Sequence, residues 1–297
     1  MIECIACSTS MVERFRESSA NHWRCPQCGL ECIAPQPDDP TLAGIYDKLY
    51  FSHYVNGIDS QVVRAMKRAT YARQLSMLPS PASLVNQRRL LDCGAATGFL
   101  VELAKERGWD AFAIEISDFG SQRCASLLGQ ERVFRGQVQE ASFSDNPDGR
   151  FEVITMFDFI EHVRNPKDVL TWARNRLGPG GILLLTTPKV GGLSWRLMGR
   201  HWFHYVREHL WFFNGQSIRA LLSESGFDTI DVHPLRKAIA LDYALAHYLR
   251  SNSYNRLLSP LARVLRSILP ARIKRQRVWF YLGEMVVVAR VGKQIAM

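Results

Sequence analysis

The stretch Leu90-Leu91-Asp92-Cys93-Gly94-Ala95-Ala96-Thr97-Gly98-Phe99 decides how the rest of the chain is read. Two leucines end a predicted strand, an acid and two glycines make a tight turn, and Leu100-Val101-Glu102-Leu103-Ala104-Lys105 opens a helix. Glycine at such a crossing lets the backbone approach a ligand with no Cβ in the way. Further on, Glu115 closes the apolar run Ala111-Phe112-Ala113-Ile114. An acid at the tip of a second strand can accept hydrogen bonds from both ribose hydroxyls of a nucleoside.

The same alternation continues on both sides of the loop. Strands are predicted at Ala111–Ile116, Val133–Phe134, Phe151–Met156 and Ile182–Thr186, with helices near Phe119–Leu128 and Lys167–Leu177 between them. The turn Gly178-Pro179-Gly180-Gly181 precedes the Ile182 strand. A helix at Ser217–Ser225 and strands at Asp228–His233 and Glu284–Arg290 complete the series. Continuous apolar runs separated by helices indicate an α/β fold whose parallel sheet is covered on both faces. Ligands on such a sheet bind at the carboxyl ends of its strands.

The N-terminus is built differently. Cys4-Ile5-Ala6-Cys7 and Cys25-Pro26-Gln27-Cys28 are two CxxC knuckles separated by seventeen residues. Four thiolates at that spacing can close a tetrahedral Zn²⁺ site, and Cys4, Cys7, Cys25 and Cys28 are its expected ligands. A closed site leaves no open coordination position, so the metal is expected to be structural and to supply most of the folding free energy of so short a segment. Pro35, Pro37 and Pro40 follow as a stiff linker. Tyr46–Tyr54 carries four aromatics, which suits either a lid over a ligand or a packing patch. A helical face recurs from Ser60 to Leu78.

Charge is unevenly placed. Of the net +9, the excess lies between 236 and 293, where twelve Lys and Arg face only Asp242 and Glu284. A protein gripping nucleic acid along its cleft would spread that charge more widely. The clearest piece of this insertion is a helix at Ser259–Leu269, N-capped by Ser259 with Pro260 in its first turn. The segment 256–279 can serve as a solvated cover for the core, as a surface for anionic membrane, or as an RNA contact. No secretory leader is recognised, and no apolar run approaches the roughly 18 residues of a spanning helix. A cytoplasmic protein is therefore expected, with peripheral contact at the inner face of the membrane if the basic segment lies on lipid.

At this point the chain resembles the class I S-adenosylmethionine-dependent methyltransferases. Leu90–Gly98 matches the family's nucleotide loop, with Ala96 where a middle glycine is usual. Phe157-Asp158-Phe159-Ile160-Glu161-His162-Val163 matches the segment after the fourth strand, and Leu177–Gly181 the turn before the fifth. A nicotinamide dehydrogenase would instead show G-x-G-x-x-G, whereas Gly94 and Gly98 are four apart. The resemblance implies a Rossmann-like, doubly wound, mostly parallel seven-stranded sheet with S-adenosylmethionine as cofactor. It places Asp92, Gly94, Ala96 and Gly98 at the cofactor, Glu115 on its ribose, Gln137 and Val138 at its adenine, and Phe157 and Asp158 at its methionyl part.

The aromatic lid and the segment Trp202…Glu208-His209-Leu210…Phe213 resemble bacterial methyltransferases of polysaccharide and sugar biosynthesis. This implies a small-molecule or glycan/lipid-linked sugar acceptor. A hydroxyl must lose its proton as the new bond forms, and His209 and His162 are the candidate general bases. For His162 a helix-capping or packing role is the leading reading, whereas for His209 the catalytic and structural readings are balanced. An RNA methyltransferase using the ribbon and the basic tail is the alternative, and a non-catalytic nucleotide-binding module the second. The expected division is a zinc ribbon at 1–34, a linker with lid helices at 35–85, a cofactor-binding core at 86–235, and a basic insertion with the final core strand at 236–297.

Overall fold

The structure is a computed structural model that describes residues 2–16, 20–45, 60–83, 88–243, 245, 263–264, 267–274 and 276–292. Strands β1 (Val12–Arg16), β2 (Asn21–Arg24) and β3 (Glu31–Ala34) form an antiparallel meander beneath the two knuckles. The knuckles repeat one another. Ser8 N–H donates to Cys4 O at 2.8 Å and Gly29 N–H to Cys25 O at 3.0 Å, with φ of 55° and 71° at the two turn residues. Helices α1 (Asp39–Ile45) and α2 (Ser60–Leu75) follow. The aromatic stretch Tyr46–Tyr54 lies outside the described residues.

The main sheet is assembled from β4 (Arg89–Cys93), β5 (Asp110–Glu115), β6 (Val133–Arg135), β7 (Phe151–Phe157) and β8 (Leu177–Pro188). Helices α3 (Phe99–Glu106), α4 (Asp118–Leu128) and α5 (Pro166–Arg176) connect them. All five strands are parallel. Their apolar runs are buried on both faces: Leu90, Leu91, Ile154, Met156 and Leu183–Leu185 expose essentially nothing. Two antiparallel strands, β10 (Thr229–Ala240) and β11 (Arg277–Arg290), complete the order β10-β11-β8-β7-β4-β5-β6. The sheet is therefore the mostly parallel, seven-stranded one expected. Chain order reverses at β4, between β5 and β7, which makes the carboxyl end of β4 the switch point where ligands bind.

Three local readings change. The glycine run at 178–181 is no free turn but the irregular start of β8. Leu177 already pairs with Phe151, the register then slips by three residues before Ile182 pairs with Val153, and Gly180 takes φ 76° within the slip. The expected start of the basic insertion at 236 falls inside β10, which pairs with β11 out to Ala240. That strand continues because α2 covers it: the Thr70 hydroxyl accepts the Ala238 N–H at 2.9 Å, and Val63, Met66 and Ala240 pack together. Lastly, α2 ends at Leu75, and its buried face carries the polar Thr70 and Gln74 beside Val63 and Met66. Of the predicted Ser259–Leu269 helix, only 263–264 and 267–269 are described, and 263–264 and 267–268 are helical.

The ribbon does not stand apart. Between β8 and α7 (Gly215–Glu224) lie α6 (Leu193–Met198), a 3₁₀ turn at Gly199–His201 and strand β9 (Trp211–Phe212). Strand β9 pairs with β3, Glu31 opposite Phe212 and Cys32 opposite Trp211, and becomes the fourth strand of the ribbon sheet. Asn214, which N-caps α7 through Gln216 and Ser217, also donates from Nδ2 to Cys28 O at 2.8 Å. At the seam Glu31 is wholly buried. It pairs with Arg14 at 2.9 Å and Arg24 at 2.8 Å and accepts the Tyr205 hydroxyl at 2.5 Å.

Candidate active site

The loop after β4 is shaped by three left-handed residues: Gly94 at φ 77°, Ala96 at φ 50° and Gly98 at φ 80°. A Cβ on Gly94 would lie 2.6 Å from the Phe159 ring, so only glycine fits. Ala96 is an L-residue in the left-handed region, a conformation that costs about 1–2 kcal/mol and explains why glycine is usual there. The loop is tied to β5: Gly94 and Ala95 N–H both donate to Ile114 O, at 2.9 and 3.0 Å. Ala96 N–H donates to Glu115 Oε2 at 2.8 Å, while Glu115 Oε1 accepts from Ser117 N–H at 2.9 Å. An ionised carboxylate has about four lone-pair sites, so Glu115 retains capacity for a ligand's hydroxyls.

Beneath the loop Asp92 is buried and accepts the Thr155 hydroxyl at 2.6 Å. Burial, and the Glu115 carboxylate nearby, push its carboxyl up to about 7 against the help of that hydrogen bond. Gly98 N-caps α3, and a Cβ there would meet Leu127 and Cys124. Phe157 sits 5.5 Å from the Tyr71 ring of α2.

A cavity of about 570 Å³ opens at this switch point, within the range of small-molecule sites. Gly94, Ala96, Glu115, Gln137, Val138 and Asp158 of the expected cofactor set line it, and so does His162. Asp92, Gly98 and Phe157 do not; the first two act from beneath and behind the loop. His209 is also absent from the lining and stands behind His162, ring centroids 4.7 Å apart and edge to face. Phe159 and Ser117 line the cavity but escaped sequence reading, although Phe159 lies inside the matched segment.

The far end of the cavity is rich in charge. Asp158 has φ 49°, accepts the Thr186 hydroxyl on Oδ1 at 3.0 Å, and receives Lys237 Nζ on Oδ2 at 3.1 Å. Lys237 also donates to Glu284 Oε1 at 2.7 Å. Burial would raise the Asp158 carboxyl, but Lys237 outweighs it and holds the group below its ordinary value. Glu161 is fully buried, and burial beside Asp158 pushes its carboxyl well above the usual range. His162 Nδ1 meets Glu208 O at 3.0 Å and His209 Nδ1 meets His204 O at 2.8 Å. Burial lowers His162 to about 4 and His209 to about 3, so both rings are neutral near pH 7. Lys237 had read as part of the basic tail; its place on β10 lets it bridge Asp158 and Glu284 instead.

The four ribbon cysteines bring their sulfurs within 4.8 Å of one another, with Cys4–Cys28 at 3.5 Å and Cys7–Cys25 at 3.4 Å. Zn–S bonds of about 2.3 Å in a tetrahedron place sulfurs about 3.8 Å apart, so the set is compatible with zinc. Cys32 is a small buried residue of β3 against Met11, outside this cluster.

A family model described as a methyltransferase domain matches residues 62–232. The match covers more than half of the chain, which belongs to that family. Ubiquinone biosynthesis O-methyltransferase of Dechloromonas aromatica (strain RCB) is 28% identical over 102 residues, 34% of this chain and 44% of that protein. Its counterpart in Methylococcus capsulatus is 28% identical over 104 residues, 34% of this chain and 43% of that protein. The chain thus spans less than half the length of these curated relatives. Among solved structures, a SAM-dependent methyltransferase from Archaeoglobus fulgidus superposes with TM-score 0.52 at 16% identity, covering 82% of this chain and 98% of its own. The 1,6-didemethyltoxoflavin-N1-methyltransferase of Burkholderia thailandensis, solved with 1,6-didemethyltoxoflavin and S-adenosylhomocysteine, gives TM-score 0.51 at 14% identity over 95% of this chain and 99% of its own. At such identities the likeness is one of fold, and the fold is that of the class I methyltransferases. No helix among the described residues is long and apolar enough to cross a membrane.

Proposed function

We propose that the chain transfers a methyl group from S-adenosylmethionine to a hydroxyl of a small-molecule acceptor, of which a sugar or lipid-linked glycan is the class the sequence resemblance favours. The cavity that joins Gly94, Ala96 and Glu115 at one end to Asp158 and His162 at the other carries this reading. Backbone at Gly94 and Ala96 would approach the cofactor, Glu115 would take its ribose, and Gln137 and Val138 its base. S-adenosylmethionine, when bound, supplies a methyl group already activated on a sulfonium. The protein's work is then to align the acceptor, exclude water and accommodate a proton. Asp158, at the cavity end, would face the cationic half of the cofactor, and His162, backed by His209, would meet the acceptor hydroxyl. The four cysteines would hold a structural zinc ion that keeps the ribbon folded.

A lipid-linked acceptor draws support from Val278, Trp279, Phe280 and Tyr281, exposed on the outer end of β11, where the basic segment 256–279 runs into the strand. Titration calorimetry with S-adenosylhomocysteine, on the wild type and on Glu115→Ala, tests the cofactor assignment. Binding that the substitution weakens at least about tenfold is expected, about 1.4 kcal/mol; absence of binding to the wild type would sink it. Labelled methyl transfer to sugar nucleotides, lipids and RNA then decides the acceptor, incorporation into RNA alone being the result that overturns it.

A further inference from the structure

One stretch of the cavity wall is held from outside the main sheet. The chain leaves that sheet at Asp158, whose N–H donates to Thr186 O at 3.0 Å, and enters α5 at Pro166. Between those anchors His162, Val163, Arg164 and Asn165 line the cavity. Leu210 N–H donates to Glu161 O at 2.8 Å, and Trp211 Nε1 donates to Val163 O at 3.0 Å and to Arg164 O at 3.2 Å. Main-chain carbonyls of Glu161, Val163 and Arg164 are thus taken up by two consecutive residues. His162 is held by the same segment, since its Nδ1 meets Glu208 O at 3.0 Å.

Leu210 and Trp211 belong at the same time to the ribbon. Ile33 N–H donates to Leu210 O at 3.1 Å, and Cys32 pairs with Trp211 across β3 and β9. The second knuckle runs directly into β3, with Cys25 N–H donating to Leu30 O at 2.8 Å, and Asn214 just past β9 binds Cys28 O. A line of rings follows the same route. His22 of β2 stacks on Phe212 at 5.7 Å, Phe212 meets His209 at 6.2 Å, and His209 meets His162 at 4.7 Å. The linker adds a tie, because Arg164 Nη2 donates to Pro37 O at 2.6 Å. Glu161 is fully buried, and a carbonyl there that loses its donor has no water to turn to. The wall therefore keeps its shape while the β9 segment stays in place. That segment is paired to a ribbon with little core of its own, whose folding depends on closing the four cysteines around a metal.

We infer that the ribbon is a positioning element of the cavity: Leu210 and Trp211 are positioning residues through which zinc binding at Cys4, Cys7, Cys25 and Cys28 sets the wall 161–165. Two states are defined. With β3 paired to β9 the three carbonyls have their donors and the wall is fixed; with the ribbon open they lose them and the wall relaxes. Where the cavity takes S-adenosylmethionine, an assignment that rests on the function proposed above, cofactor and zinc favour one another, and the coupling is reciprocal.

The test compares the full chain carrying Zn²⁺ with the same chain stripped by a chelator. On stripping, the Leu210 and His162 amides should exchange at least about tenfold faster while those of β4 and β7 keep their protection. S-adenosylhomocysteine should bind at least about fivefold more weakly, and by reciprocity should tighten Zn²⁺ by the same factor. Trp211→Phe keeps an aromatic ring in the strand but removes both Nε1–H bonds. With Zn²⁺ content and β1–β3 protection as in the wild type, it should bind S-adenosylhomocysteine at least about threefold more weakly; a tryptophan that only fills space would leave that affinity unchanged. Should the stripped chain unfold throughout, this variant decides; should the variant lose its zinc, the stripped chain does. Lost protection confined to β1–β3, with Leu210 and His162 unchanged, overturns the inference, as does wild-type affinity in a zinc-loaded Trp211→Phe. Zinc-dependent protection of the wall without any S-adenosylhomocysteine binding sinks the cofactor assignment and leaves the positioning role standing. Equal S-adenosylhomocysteine affinity with and without zinc, over an unchanged wall, does the reverse.

Discussion

Replacing Glu31 with Ala should separate the ribbon from the core more effectively than any apolar truncation. The carboxylate is wholly buried and shared among Arg14, Arg24 and the Tyr205 hydroxyl. Removing one partner of a buried ion pair costs about 3–5 kcal/mol, because the charges left behind remain desolvated. Arg14 and Arg24 keep 21% and 34% of their side-chain surface in solvent, which lets them rehydrate and sets the cost near the lower bound, about 3 kcal/mol. Glu31→Gln retains the shape and one acceptor, and about half that loss is expected. On a scale of 2–4 °C per kcal/mol, thermal denaturation should show Glu31→Ala melting about 6–12 °C lower. Hydrogen exchange adds the location: if the ribbon opens on its own, amides of β3 and β9 lose protection while those of β4 and β7 do not. A melting temperature within a degree or two of wild type, with β9 still protected, would show that the seam is held by packing alone.

Other substitutions test the cofactor end. Gly94→Ala forces an L-residue to φ 77° and drives a Cβ against Phe159, so S-adenosylhomocysteine affinity should fall at least about tenfold by calorimetry; the strain alone is about 1–2 kcal/mol. Asp92 carries a pH signature. Its carboxyl is raised to about 7 in the native state from about 4 when unfolded, so the native state holds the proton more tightly. Its contribution is fully present below pH 4 and is lost as pH rises to about 7. Asp92→Asn has no such linkage, and its stability deficit relative to wild type should shrink between pH 5 and pH 8 in urea titrations; a constant deficit would refute the assignment. Stripping the cysteine site with a strong chelator should abolish amide protection throughout β1–β3, and retention of that protection would show that the ribbon folds without metal.

Much of this molecule could be read from its residues because the signals are local. Leu90 to Phe99 spells strand, turn and helix within one stretch, and Glu115 stands at the end of the next apolar run. What escaped depends on partners far away in the chain. Trp211 and Phe212 are too few to show a strand period, and their partners in β3 lie far earlier in the chain. Glu31 carries no sequence signal of its own; only its docked position buries it. Lys237 looks like one more charge in a basic segment, yet it bridges Asp158 and Glu284. Ala96 stood out as a departure from the usual glycine, and its φ of 50° gives that departure a backbone meaning.

The shared sheet sets an order of events during synthesis. Residues 4–34, which carry the four cysteines and three of the strands, leave the ribosome before the main sheet is made. Their fourth strand arrives only with Phe212, after most of the main sheet has been made. Until then the outer edge of β3 is an open ladder, a template for any extended chain nearby. A nascent ribbon therefore needs its own downstream sequence as its chaperone, and slow translation between 35 and 210 should promote misassembly of a segment whose last strand has yet to be made.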